Sequence, residues 1–219
     1  GHYDSPVIDL GASGSWTSLK PTTSLPFYKE IASTASETTA GYSSLNGDLS
    51  SGLIGHWSFN ESLADSVVPG GEDFADSIAG NHGVESGGLS FGQKGMLGNS
   101  ASFDGNDHIN LDSAIADFQG LNNGTISLWF NSSSVVGEAL FTATDSAISN
   151  QRIQIYVGNS GGIYADESLF VDIVNAATKL RIFVRRGHTF FQDGKWHHMV
   201  LRIDGADNSF FVDGEKQTN

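Results

Sequence analysis

Cysteine is absent from the 219-residue chain, so it carries no disulfide framework, no thiolate metal site and no cysteine nucleophile. Basic residues are scarce: 11 Lys and Arg stand against 25 Asp and Glu, a net charge of -14. A field of that sign disfavours nucleic-acid phosphates and anionic membrane surfaces. It suits solubility and divalent cations, whose hard ligands are carboxylate and carbonyl oxygens. No apolar run approaches the roughly 20 residues of a spanning helix, so membrane insertion is not expected. No signal peptide is legible, and the chain opens on Gly1-His2 rather than Met, a start expected of a mature or excised piece.

What the chain has in quantity is glycine, 27 residues, together with 14 Phe and 4 Trp, while charged residues make up only 16%. That composition suits many short strands joined by turns, with aromatic side chains inside and uncharged polar ones facing solvent. The length allows one large all-β domain with an added piece, or two small domains. Residues 1–48 read as an extended arm or linker, since Pro6, Pro21 and Pro26 punctuate sequence that suits neither a helix nor a central strand. The globular part, residues 49–219, follows. Alternation there predicts strands at 53–59, 101–103, 108–111, 125–130, 139–142, 152–157, 169–174, 179–184, 196–203 and 209–212, with a helical turn at 114–118. Residues 62–98 read as a polar, Gly-rich excursion. No long helical crossover separates the strands, so antiparallel pairing is expected.

Several pieces stand in a definite order. Trp57-Ser58-Phe59-Asn60-Glu61 comes first, then Asp76-Ser77-Ile78-Ala79-Gly80-Asn81-His82-Gly83, then Phe103-Asp104-Gly105 and Ser127-Leu128-Trp129. Trp196-His197-His198-Met199-Val200 and Val212-Asp213-Gly214 close the series. This order resembles the laminin-G-like, concanavalin A-like lectin/glucanase domains of bacterial surface or secreted proteins. The resemblance covers residues 49–219 and implies an all-β fold: an antiparallel jelly-roll β-sandwich, preceded here by the extended N-terminal arm. The family's closing segment, a Gly-x-Ile-Asp-Glu-Val-x-Ile-Tyr run, does not occur before Asn219. The sandwich is therefore expected to lack its closing strands. Truncation, a bound C-terminal piece, or a strand supplied by another copy would each account for that.

Asp104, Asn106 and Asp107 gather two carboxylates and one amide in a single turn, the donor chemistry calcium takes. Turn formation alone also calls for Asp, Gly and Asn, and it is the resemblance that raises the calcium reading. In related sandwiches a calcium or ligand rim falls on the loop matching residues 142–150, which implicates Asp145 and Asn150. Glu61 and Asp76 lie in the neighbouring opening loop, where capping explains them equally well. Calcium is the one cofactor expected. Tyr156 and Tyr164, with Phe190 and Phe191, fall in or near expected loops and are candidate platforms for sugar rings, although most Phe and Trp must fill the core. His197 and His198 point to opposite faces of a strand and do not chelate one metal. Trp196 and one of these histidines are expected to pack, the other to face solvent. Arg181 lies on a face expected to be solvated, with acidic sugars as its other use.

Glycosidases on this sandwich carry a Glu-x-Asp-x-Glu-like array along one strand. No such array, no Gly-x-Ser-x-Gly elbow, no His-Glu-x-x-His helix and no phosphate loop occurs. A non-catalytic extracellular recognition or adhesion module is expected, directed to carbohydrate or a cell-surface glycan and assisted by calcium. That step rests on resemblance of fold. Two readings stay beside it: a structural subunit of a cell-surface filament or layer built from copies of itself, and an accessory domain of a larger secreted hydrolase.

Overall fold

The computed structural model describes residues 52–63, 73–118, 123–134, 136–145, 151–158, 167–185, 191–205 and 207–218; the arm expected at 1–48 lies outside them. The strands are β1 (Val84–Ser86), β2 (Ser90–Lys94), β3 (Asn99–Ser102), β4 (His108–Asn110), β5 (Asn123–Asn131), β6 (Glu138–Thr144), β7 (Gln151–Val157), β8 (Glu167–Asn175), β9 (Ala177–Arg185), β10 (Trp196–Asp204), β11 (Ser209–Val212) and β12 (Glu215–Lys216). The expected helical turn is present as a 3-10 turn, Asp112–Ala114, leading into α1 (Ile115–Phe118). Every pairing between these strands is antiparallel.

Two four-stranded sheets form the sandwich, one ordered β12-β11-β10-β5 and the other β6-β7-β8-β9. Period-two alternation sends one set of side chains from each sheet into a shared core. Phe130, Met199, Leu201, Phe210 and Val212 come from the first sheet; Ile155, Val157, Leu169, Val171, Ile173, Ile182 and Val184 come from the second. Met199, Leu201 and Phe210 are wholly buried, so truncating Leu201 to Ala is expected to cost roughly 2–5 kcal/mol. Asp213 and Gly214 both take positive φ, 52° and 82°. They form the two-residue turn that lets Val212 pair with Glu215.

The described residues between 52 and 118 form a smaller cluster of two strand pairs, β1-β4 and β2-β3. Its centre is the buried Phe74, whose ring lies 5.1 Å from those of both Phe59 and Phe91. Two expectations change here. Residues 53–59 form no strand but only an isolated bridge between Trp57 and Asp76. Phe59 turns to a φ of 57°, which ends the extended run, and the Trp57 indole instead donates to Asn81 O at 2.9 Å. The excursion at 62–98 holds two strands, β1 and β2, because Phe74, Leu89 and Phe91 supply apolar anchors between the glycines.

Candidate ligand-binding face

Between the core-directed residues of β7, β8 and β9 lies a second set that faces away from the sandwich. Strand pairing lines up Tyr156 with Phe170 and Phe170 with Phe183. Their ring centroids are 6.3 Å and 5.1 Å apart, with interplanar angles of 35° and 30°. The next rank along the strands is Gln154, Asp172 and Arg181, in register across the same three strands. Arg152 follows, paired with Val174.

Asp172 organises the polar end of this face. Its side chain is 1% exposed, while those of Arg152 and Arg181 are 27% and 41% exposed. Arg152 donates to Asp172 Oδ2 from Nε at 3.1 Å and from Nη2 at 2.7 Å. Arg181 donates from Nε to Oδ1 at 3.0 Å and from Nη2 to Oδ2 at 3.0 Å. Charge-assisted, forked contacts of this kind fix guanidinium planes in orientation as well as position. The result is a rank of aromatic rings bordered by an amide and two held guanidinium groups, the mixture of apolar wall and few polar groups that fixes a ligand's orientation.

The sequence reading met this face in part. Tyr156 belongs to it, standing on strand β7 rather than in a loop. Arg181 is not simply solvated, since it closes on Asp172. Phe191 is no platform: it is 3% exposed and part of the core, held where its N–H donates to Ser168 Oγ at 2.9 Å. Tyr164, Phe190 and Asn150 lie outside the described residues. Phe170, Phe183, Asp172, Gln154 and Arg152 were missed, because an outward position on a strand has no motif. The available signal was Asp172 standing between Val171 and Ile173, a carboxylate in an apolar strand that calls for cationic neighbours.

The acidic turn is a separate feature. Asp107 Oδ2 accepts the N–H of Asp104 at 2.8 Å, and Asp104 Oδ1 accepts that of Asn106 at 3.3 Å. The Asn106 carboxamide lies against Asp104 Oδ1 and 2.9 Å from Asp107 Oδ1. With its nitrogen on that side the amide donates to both carboxylates and closes the turn by itself. Gly87, at a φ of 106°, is needed behind it, since a Cβ there would lie 2.6 Å from Asp107 Oδ1. Asp145 follows β6, and among the described residues no three His, Asp or Glu side chains gather as a metal-binding group. Asp145 is therefore not brought together with Asp104 and Asp107.

In the opening loop, Asp76 accepts backbone N–H groups from His56, Ile78, Ala79 and Asn81 at 2.8–3.0 Å. Burial alone would raise its carboxyl, but these four donors outweigh burial and hold it below the usual carboxylate range. Glu61 Oε1 accepts Ala75 N–H at 3.0 Å, and its Oε2 is buried without a hydrogen-bond partner. Both side chains brace the loop.

The Trp-His-His and Val-Asp-Gly pieces meet on the other sheet. Asp213 Oδ2 lies 2.7 Å from His197 Nδ1, and Asp213 Oδ1 accepts the backbone N–H of His198 at 2.9 Å. His197 turns to the core, its ring 5.6 Å from Phe130 and 5.3 Å from Phe191. Asp193 reaches His197 Nε2 at 3.1 Å. The hydrogen bond from the Lys195 ammonium lowers the Asp193 carboxyl to about 2. His198 lies on the opposite face, 4.8 Å from Trp129, with its Nε2 2.8 Å from Ser127 Oγ. Burial pushes its imidazole below the ordinary histidine value, against the opposing pull of Asp213. Both histidines therefore pack against aromatic rings.

Among known proteins, the family model described as the concanavalin A-like lectin/glucanases superfamily matches residues 103–219. The opening pieces at 53–83 lie outside that match. No curated protein matches the chain. Two solved structures are similar to it. Domain 4 of AbnA, a GH43 extracellular arabinanase from Geobacillus stearothermophilus in complex with arabinotriose, is 15% identical with a TM-score of 0.45, over 66% of this chain and 68% of that one. An S-layer domain-containing protein from Clostridium thermocellum is 20% identical with a TM-score of 0.45, over 74% and 70%. Likeness at that level does not bear on ligand or chemistry. No helix among the described residues is long and apolar enough to cross a membrane.

Proposed function

We propose that this chain, which belongs to the concanavalin A-like lectin/glucanases superfamily, is a non-catalytic module that recognises carbohydrate outside the cell. The observation that carries the reading is the outward rank Tyr156–Phe170–Phe183 set beside Gln154 and the Arg152–Asp172–Arg181 group. Sugar rings present apolar C–H faces that stack on aromatic side chains, and hydroxyls that pair with amide and guanidinium donors. The sugar chain lies across the strands, along the aromatic rank. The test is a glycan array followed by calorimetry on the leading oligosaccharide. Tyr156→Ala is expected to weaken binding about tenfold, the loss of one good aromatic contact. Equal affinity in wild type and variant would overturn the assignment of the face.

Calcium is the second part of the proposal. The oxygens of Asp104, Asn106 and Asp107 fit a hard cation in kind, with Asn106 turning its oxygen inwards when the ion binds. They supply fewer than the about six to eight ligands calcium takes, so water would complete the shell. Such an ion would tie the turn together and stabilise the folded state in proportion to its occupancy. Thermal unfolding with calcium and after chelation checks this. A rise in midpoint that Asp104→Asn and Asp107→Asn abolish is expected; no response to calcium would dismiss the site.

A further inference from the structure

The face that carries the aromatic rank differs in charge from the chain as a whole. With 25 acidic residues and a net charge of -14, carboxylates are expected over most of the surface. Residues directly opposite one another in a sheet share a face. On β6 the partners of Tyr156, Gln154 and Arg152 are Ala139, Thr142 and Thr144, all three exposed. On β8 they are Phe170, Asp172 and Val174, and on β9 Phe183 and Arg181 continue the first two ranks. Among these described positions the one carboxylate is Asp172, whose side chain is 1% exposed.

Here the charge sum is positive. Asp172 supplies one negative charge, and Arg152 and Arg181 supply one positive charge each, which leaves a surplus of one. A single guanidinium would neutralise the buried carboxylate. The second, on a side chain 41% exposed, sets positive charge at the solvent side of the face. Forked contacts to Asp172 orient both guanidinium planes before a ligand arrives, so less ordering remains to oppose binding. Asp172 stands two residues along β8 from Phe170, and Arg181 two residues along β9 from Phe183, roughly 7 Å in each case. A sugar ring stacked on the rank therefore meets the guanidinium groups through a substituent.

Resting on the carbohydrate reading above, we propose that the ligand is an acidic glycan. Its ring stacks on the Tyr156–Phe170–Phe183 rank, and its carboxylate or sulfate substituent lies on the Arg152–Asp172–Arg181 group. Guanidinium N–H donors match either anion in pairs. A neutral sugar uses the same rings but leaves the surplus charge uncompensated. Repulsion from the acidic remainder of the chain is screened beyond about 8 Å at physiological ionic strength, so the local contact decides the preference.

The test is calorimetry on the full chain with three matched sets of oligosaccharides: neutral, uronate-bearing and sulfated. An acidic set is expected to bind at least roughly tenfold more tightly than the neutral one, the effect of one hydrogen bond to a charged group. Whichever acidic set leads identifies the anion. Arg181→Gln should erase that margin while Arg152 still holds Asp172. Gln154→Glu keeps the side chain's size and adds a carboxylate beside Asp172; it should also erase the margin, and it leaves both arginines in place should Arg181→Gln fail to fold. Arg202→Gln, on β10 of the other sheet, changes the net charge as much as Arg181→Gln and should leave the margin intact. Neutral sugars bound as tightly as acidic ones, with Tyr156→Ala weakening both, would overturn this proposal and leave the carbohydrate reading standing. An acid preference that Arg181→Gln and Gln154→Glu both spare would overturn it, as would an equal loss in Arg202→Gln. Binding to none of the three sets would remove the proposal and the carbohydrate reading together.

Discussion

The outward face of β7, β8 and β9 and the outward face of β5, β10 and β11 arise from the same alternation, yet they hold different things. The first sets three aromatic rings beside a carboxylate buried under two guanidinium groups. The second sets His198 between Trp129 and Ser127, while Asp213 ties the β11-β12 turn back to β10. The readable motifs, Trp-His-His and Val-Asp-Gly, belong to the second sheet. There their polar atoms are consumed by one another, joining turn to strand. The candidate binding face lies on strands without a motif. In this protein the readable motifs mark architecture, and the candidate binding face is built from outward strand positions that carry no motif.

Separate variants break that comparison. The largest effect is expected from Asp172→Ala, which leaves two guanidinium groups facing each other without their carboxylate. It should cost roughly 2–4 kcal/mol in urea unfolding, near the lower end for buried pairs because both arginines retain solvent contact. Replacing the three residues together by apolar side chains should restore much of that stability while removing glycan binding.

Asp213→Ala is expected to lower stability without touching binding. Losing the contacts to His197 and to the His198 N–H should cost about 1–2 kcal/mol, with calorimetry showing unchanged affinity for the glycan. A loss of affinity in that variant would tie the two sheets' roles together and undo the distinction.

The smallest effect concerns pH. The folded-state value of His198 is depressed, so below about pH 6.5, where an ordinary histidine titrates, the unfolded chain takes up a proton that the folded chain resists. The contribution of His198 is full above that pH and is lost as pH falls towards the folded value. His198→Gln should flatten this part of the stability profile, measured as denaturant midpoints between pH 7.5 and 5.5. Asp76 acts in a more acidic window: its depressed carboxyl stabilises the fold above the usual carboxylate range, and that support goes as pH falls through the folded value.

Much of the sandwich was legible because β5 to β11 are long enough for alternation to show, and the structure extends most of the expected strands by a residue or two. The smaller cluster was read less well. A run such as Leu53-Ile54-Gly55-His56-Trp57 alternates as a strand would, but Trp57 bridges to Asp76 and Phe59 reverses φ, which alternation cannot foresee. The strands β1 and β2 are short and flanked by Gly87, Gly88 and Gly95. Of the residues on the candidate face, the sequence singled out only Tyr156 and, in another role, Arg181. The remaining members of that face meet through register across three strands, a property of pairing rather than of any one segment.

The central claim is that carbohydrate lies on the aromatic rank of β7, β8 and β9. Titrating the 15N-labelled chain with the leading oligosaccharide from the array, followed amide by amide, tests it most directly. The account predicts shifts clustered around Gln154, Tyr156, Phe170, Asp172 and Phe183, and their loss in Tyr156→Ala. Shifts confined to the Asp104–Asp107 turn or to the Trp129–His198 face, surviving Tyr156→Ala, would contradict it.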